Sequence, residues 1–312
     1  MNISFINLII KVFSAGLIIF VIGCQSDHNN SSGSMQDVNI EEQNWNQDQK
    51  DVKTAVEKIL IAGGNRNFEE LDKLTSDKAI IGYSYLKDGV WLNNELTIKE
   101  YIENNAIKTD LKPFVEIPTD YKIIVTEGRF AIVRADAILS RFGVPINREI
   151  NHLTFMKENE NWKLLSIAWT VEPLPEAKRK FDLALFAHSY AQAWSGIRPE
   201  FVAMYFSENG SLRVNDGEPA IGRAEITKVA KSFMTKFPDM IVHFDSLAQK
   251  ASGTEFHWTL TGTDADPAGK GNKVKVSGLE VWQMSDDGLV QKSQGHFPSE
   301  EYNRQLEFRI EN

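Results

Sequence analysis

This chain is short of the residues that make function easy to read. It has one cysteine in 312 residues, so no intramolecular disulfide can form and no Cys-based metal site can be assembled. Positive charge is scarce as well: 34 basic against 43 acidic side chains leave a net charge of -9. The single short basic run, Lys178-Arg179-Lys180, is too small to make a nucleic-acid face. No set of His, Asp and Glu has the short regular spacing of a metal site, so neither metal nor cofactor is expected. A stretch of about 20 uninterrupted apolar residues, the length of a membrane span, is also missing, because Lys11 interrupts the run from Ile3 to Ile22.

What is present begins with that lone thiol. Cys24 directly follows the apolar run Val12 to Gly23, and Val21-Ile22-Gly23-Cys24 resembles a bacterial lipobox. The resemblance implies a signal peptide over 1–23, cleavage before Cys24 and lipidation of its sulfur, with more than one acyl chain holding the protein durably at a membrane. An uncleaved helix and an ordinary secretory signal are the competing readings. Residues 24–50 are rich in Asn, Ser, Gln and Asp and read as a flexible tether. The expected location is a membrane surface outside the cytoplasm, facing the periplasm or the cell exterior.

The remaining length suits two domains. Residues 51–172 show helical spacing at Val52, Ala55, Val56, Ile59 and Leu60, then a short helix from Phe68 to Leu74, and a third helix opening at the capping box Thr97-Ile-Lys-Glu. Four strand-like stretches follow, at 114–125, 129–139, 146–157 and 162–171. The two prolines of Glu172-Pro173-Leu174-Pro175 mark a linker over 173–180. The order then starts again in 181–307, with helices at 181–194, 199–206 and 223–237, a strand at 211–214, and later strands at 240–249, 255–263, 273–284 and 289–297; residues 308–312 are a tail. Helices first and strands after, twice, predict an α+β protein of two tandem domains.

The second half carries an ordered series: Tyr190-x-x-x-Trp194, Gly222-Arg223, Phe237-Pro238-Asp239, Trp258, Gly262-Thr263, Gly278-x-Glu280, Asp287-Gly288, and Tyr302 with Gln305-Leu306. That series resembles the SnoaL-like polyketide cyclase group of the nuclear transport factor 2-like fold. The resemblance implies a cone, a curved antiparallel sheet wrapped by helices, around a largely apolar cavity. The first half resembles the same fold through its element order and the ending Asn161-Trp162-Lys163-Leu164-x-Ser166-Ile167. Association through the open sheet face, giving a homodimer, is a further implication of the fold.

Relatives place a carboxylate base on the last strand, but here that stretch reads Ser293-Gln294-Gly295-His296-Phe297-Pro298 and contains no acid. His296, its only titratable side chain, becomes the candidate base, with His257 as the alternative. Glu280 is paired with His257 in one reading, and both sit on a solvated strand face in the other. The resemblance points to Tyr190, Trp194, Phe233, Phe237, Trp258, Glu280, Trp282 and Gln294 as pocket residues, although a helix stripe such as Tyr190 and Trp194 serves a packed core equally well. In the first half, Arg134 and Asp136 make either a cavity-facing or an edge ion pair, His152 is isolated, and Trp162 and Trp169 are assigned to the core. Three functions remain open: binding of a small, mostly apolar organic ligand; a cyclase, isomerase or dehydratase with a histidine base; and a structural or protein-interaction module.

Overall fold

The computed structural model describes residues 44–108, 110–267 and 269–308, so Cys24, the signal segment and most of the tether lie outside the described residues. The folded body starts before residue 51. Asn46 caps helix α1 (Gln47–Gly64) by accepting from the Gln49 amide, and Gln49 returns a capping-box bond. Trp45 packs edge-on against the buried Tyr121, with ring centroids 6.1 Å apart. A helix cap and one aromatic anchor thus draw residues 45–50 out of the polar segment that composition assigned to the tether.

Helix α2 (Phe68–Leu74), strands β1 (Thr75–Lys87) and β2 (Val90–Thr97) and helix α3 (Ile98–Ala106) follow. Strands β3 (Val115–Thr126), β4 (Phe130–Arg141), β5 (Val144–Glu158) and β6 (Asn161–Pro173) complete the first half. They form one mixed sheet in the order β2-β1-β6-β5-β4-β3, in which β1 and β6 run parallel and the other neighbours antiparallel. The β1/β2 hairpin is not among the elements expected from the sequence. Its outer part leaves Leu86, Val90, Trp91 and Leu92 exposed, so it lacks the clean alternation that marks a half-buried strand.

The second half repeats the plan. Helices α4 (Leu183–Trp194) and α5 (Pro199–Ala203), strands β7 (Phe206–Val214) and β8 (Ala220–Ile221) and helix α6 (Arg223–Lys236) precede strands β9 (Ile241–Lys250), β10 (Gly253–Thr263), β11 (Lys273–Met284) and β12 (Val290–His296). The order β8-β7-β12-β11-β10-β9 is that of the first sheet, strand for strand. The expected α+β class with an internal repeat therefore holds. Helix α7 (Ser299–Glu307) has no counterpart in the first half. It explains the Tyr302 and Gln305-Leu306 motif: Tyr302 packs on Phe237 and Phe297, while the buried Gln305 donates to the Lys275 carbonyl and accepts from its amide. Among the described residues no helix is long and apolar enough to cross a membrane.

The halves meet where α1 ends and α4 passes. Asn65 donates to the Gln192 carbonyl at 2.7 Å, and Gln192 Nε2 donates to the Phe114 carbonyl at 2.8 Å. Gly64 is required here, since a Cβ on it would lie 2.3 Å from the Phe114 oxygen.

Candidate functional site

The two sheets differ most on their inward faces. In β4 the buried inward residues are Ala131, Val133, Ala135, Ala137 and Leu139. In β10, the equivalent strand, the fully buried Phe256 and the partly buried Trp258 occupy that side with Leu260. Small side chains leave room above the first sheet, and rings take it up above the second.

The second core is filled. Tyr190, fully buried, is ringed by Trp194, Tyr205, Phe206, Phe256 and Trp282, with centroids 5.3 to 6.2 Å away. Trp194 meets Phe233, and Phe237 is buried against Tyr302. Trp258 lies over Gly278, where a Cβ would come within 2.6 Å of its ring. Of the residues assigned to a pocket by resemblance, Tyr190, Trp194, Phe233, Phe237, Trp258 and Trp282 pack in or against this core.

Glu280 is buried in this core, contrary to the solvated alternative. Tyr190 Oη donates to Oε2 at 3.1 Å, Trp282 Nε1 at 2.9 Å and Ser293 Oγ at 2.6 Å. Burial raises its carboxyl above the ordinary range, and the three donors oppose that shift. Tyr190 is raised well above its usual value by burial first and by Glu280 second.

Neither histidine reaches this acid. Phe256, not His257, stands opposite Glu280 in the β10/β11 ladder, so His257 points to the other face and pairs with Glu255 at 3.2 Å. On β12 the inward positions are Ser293 and Gly295, which leaves His296 exposed and turns Gln294 to the Asn215 carbonyl. The expected His257–Glu280 pair is therefore not formed, because the two positions have opposite parity across the ladder.

The first half holds a cavity of about 300 Å³. Its walls are mostly apolar, with Ile59 and Leu60 of α1, Ile98 of α3, Phe114, Leu164 and Trp169 among them. Trp169, expected in the core, is only partly buried and stacks on Tyr83 at 5.1 Å beside this space. The polar groups are Glu116 of β3; Asn147, Glu149 and Asn151 of β5; Tyr101 of α3; and Arg66 and Arg141.

Strand geometry brings the acids together. On β5, Asn147, Glu149 and Asn151 share the face of the buried Leu153 and Phe155, and alternate with the exposed Arg148 and His152. Glu116 reaches the same face by an irregularity. The register shifts between Pro118 and Asp120, so Glu116 stands opposite inward Leu139 although the buried Tyr121 and Ile123 have the other parity. Asn151 then donates across β4 to Glu116 Oε2 at 3.1 Å. Ala135 and Ala137 lie on the intervening strand, and their short side chains permit the crossing.

Burial is the largest influence on both acids. It pushes Glu116 up to about 8, with added repulsion from Glu149 and opposition from the Asn151 bond and from Arg66. Glu149 is pushed up to about 7, against the Asn147 bond and the Arg141 charge. Both acids therefore hold protons at pH values where they would be ionised in water, and the charge of Glu149 raises Glu116 further. Such a pair can accept and return a proton at ordinary pH.

The cation beside them is held from three sides. Arg66 follows α1 with φ of 54°, in the turn before Asn67 caps α2. Its guanidinium lies over the Phe114 ring at 4.7 Å, and Nη1 donates to Tyr101 Oη at 3.4 Å. The Arg134–Asp136 pair is elsewhere, on the opposite face of β4, where Asp136 also takes Arg148. That pair is not part of the cavity.

The family-model match falls on the other half. Residues 184–297 match the family model for SnoaL-like polyketide cyclase. The match covers the SnoaL-like domain with the filled core. Among solved structures, a protein with ketosteroid isomerase-like fold from Catenulispora acidiphila DSM 44928, in complex with trimethylamine, is 14% identical over 38% of this chain and 88% of that one, with a TM-score of 0.34. A protein described as a SnoaL-like polyketide cyclase, from Jannaschia sp. CCS1, is 12% identical over 38% of this chain and 84% of its own, TM-score 0.34. One described as a polyketide cyclase, from Bacillus cereus ATCC 10987, is 16% identical over 43% and 85%, TM-score 0.34. Likenesses this distant say nothing of chemistry. No curated protein matches the chain.

Proposed function

We propose that this chain is a lipid-anchored extracytoplasmic protein whose first domain binds a small, mostly apolar organic molecule and exchanges a proton with it. The observation that carries this reading is the placement of Glu116 and Glu149 together on the wall of a mostly apolar cavity of about 300 Å³, where burial raises both carboxyls. The chemistry is of the isomerase, cyclase or dehydratase kind. The ionised member of the pair takes a proton from carbon or oxygen, and the protonated member donates to the oxygen on which charge develops. Carboxyls take the role expected of His296 or His257.

In this reading the SnoaL-like domain is a support. Its filled core braces α4 against the end of α1, next to Phe114 and Arg66 on the cavity wall. The anchor is Cys24, with the polar segment after it as the tether.

Native mass spectrometry of the full-length protein released from detergent tests the binding step. A retained small molecule that is absent from a cavity-filling Ala137→Leu variant is the expected result; an empty protein in both forms would count against it. Deuterium uptake by enolisable ketones in heavy water, lost in Glu116→Gln, tests the proton transfer.

A further inference from the structure

The cavity contains a cation with no anion in contact. Arg66 enters no salt bridge among the described residues, and its Nε is buried without a hydrogen-bond partner. Its side chain makes one long hydrogen bond, to Tyr101 Oη, a neutral group. A guanidinium presents five donors in a fixed planar fork, and leaving a buried donor unpaired is costly. The fork is nevertheless held in place, by the Phe114 ring beneath it and by the backbone turn at Arg66. The two nearby acids make no hydrogen bond to it, although its charge acts on Glu116: Asn151 donates to Glu116, and Asn147 to Glu149.

A second cation borders the same space. Arg141 lines the cavity and also a groove that runs past Lys112 and Arg223, and it makes no salt bridge among the described residues. Asp286 and Asp287 line that groove as well, so Arg141 is the cation that the two spaces share.

We infer that the ligand of the first-domain cavity is an organic acid, its carboxylate bound by the Arg66 guanidinium and the Tyr101 hydroxyl and its apolar body lying against Ile59, Ile98 and Trp169. This inference rests on the binding reading above and names its substrate class. A carboxylate matches the arginine fork in shape and supplies two acceptors for its terminal nitrogens. The Glu116–Glu149 pair then faces the remainder of the molecule, where a proton is moved. Arg141, on the cavity wall, adds a second positive charge.

Calorimetric titration of the full-length protein in non-ionic detergent with cinnamate and with its neutral counterpart cinnamamide tests the assignment. Cinnamate is expected to bind about tenfold more tightly or better, and Arg66→Met, which keeps an apolar stem over Phe114, removes the difference. Arg66→Lys restores part of it. Equal binding of acid and amide overturns the inference while leaving the cavity reading in place. Binding of neither overturns both. A preference for the acid that survives Arg66→Met overturns the role of Arg66. Should Arg66→Met fail to fold, Tyr101→Phe decides: the ring still packs on Phe68, and an unchanged preference for the acid refutes the site, whereas a weakened one supports it.

Discussion

Asn151 and Glu116 lie on strands that are not neighbours, yet Asn151 Nδ2 donates to Glu116 Oε2 at 3.1 Å across the alanines of β4. This bond fixes one carboxyl of the pair and moderates its titration, because a donor to the carboxylate favours the charged form.

Asn151→Ala removes the donor. Glu116 is expected to titrate higher than in the parent protein, and stability should fall by about 1–2 kcal/mol with the loss of a buried hydrogen bond. Carbon-13 NMR of the Glu side-chain carboxyls through a pH series reads the first effect, and denaturant unfolding the second. A Glu116 titration that stays in place would show that the bond does not govern it.

The acid pair makes folding depend on pH. Both folded-state values lie above those of an unfolded Glu, so the native state holds more protons between about pH 4.5 and 8. Stability contributed by this pair is therefore greatest below the unfolded value and declines as pH rises through the folded ones. Glu116→Gln should flatten that decline and raise stability at pH 8 by about 1–3 kcal/mol. Melting temperatures of the two proteins from pH 5 to 8 give the comparison, and parallel curves would exclude a titrating pair.

Glu280 is expected to matter to stability alone. Removing it by Glu280→Ala strands the Tyr190, Trp282 and Ser293 donors in a packed core and should cost about 3–5 kcal/mol. Glu280→Gln keeps an acceptor oxygen and should cost about 1–2 kcal/mol. Ligand affinity of the first domain should be unchanged in the Gln variant, which calorimetry can measure beside thermal melting.

Gly64 links the halves through close approach. A methyl group at Gly64→Ala meets the Phe114 carbonyl and the Gln192 amide, so the seam must open. About 2–4 kcal/mol of stability should be lost, with weaker ligand binding because Phe114 lines the cavity. Gln192→Ala, which leaves room, should be the milder change in the same melting assay.

Cys24→Ser should move the protein from the membrane to the soluble fraction on cell fractionation, since no acyl chain can then be attached. Retention at the membrane would favour the uncleaved apolar helix instead.

The α+β class, the repeat and the lack of an intramolecular disulfide follow from the amino-acid order alone, since element order and residue counts do not depend on long-range geometry. Helix periodicity places α1 and α4, and the capping box at Thr97 and Glu100 makes the start of α3 legible. Part of the site was legible too. Asn147, Glu149 and Asn151 continue the apolar face of Leu153 and Phe155, a polar patch on an inward strand face, and Ala131, Ala135 and Ala137 announce a sheet face with little to fill it. Motif resemblance points to the second half instead, where aromatic rings mark a packed core as readily as a pocket.

Which half is open, and which acid enters it, is settled by long-range packing. Strict alternation from Tyr121 and Ile123 turns Glu116 outward; the register shift at Pro118 and Asp120 turns it in. A bulge is a property of two paired strands, and no single-strand parity contains it. The meeting of Arg66, from a turn between helices, with Tyr101 and Phe114 likewise depends on three segments folded onto one sheet. Desolvation by that enclosure is what moves two ordinary glutamates to neutral pH.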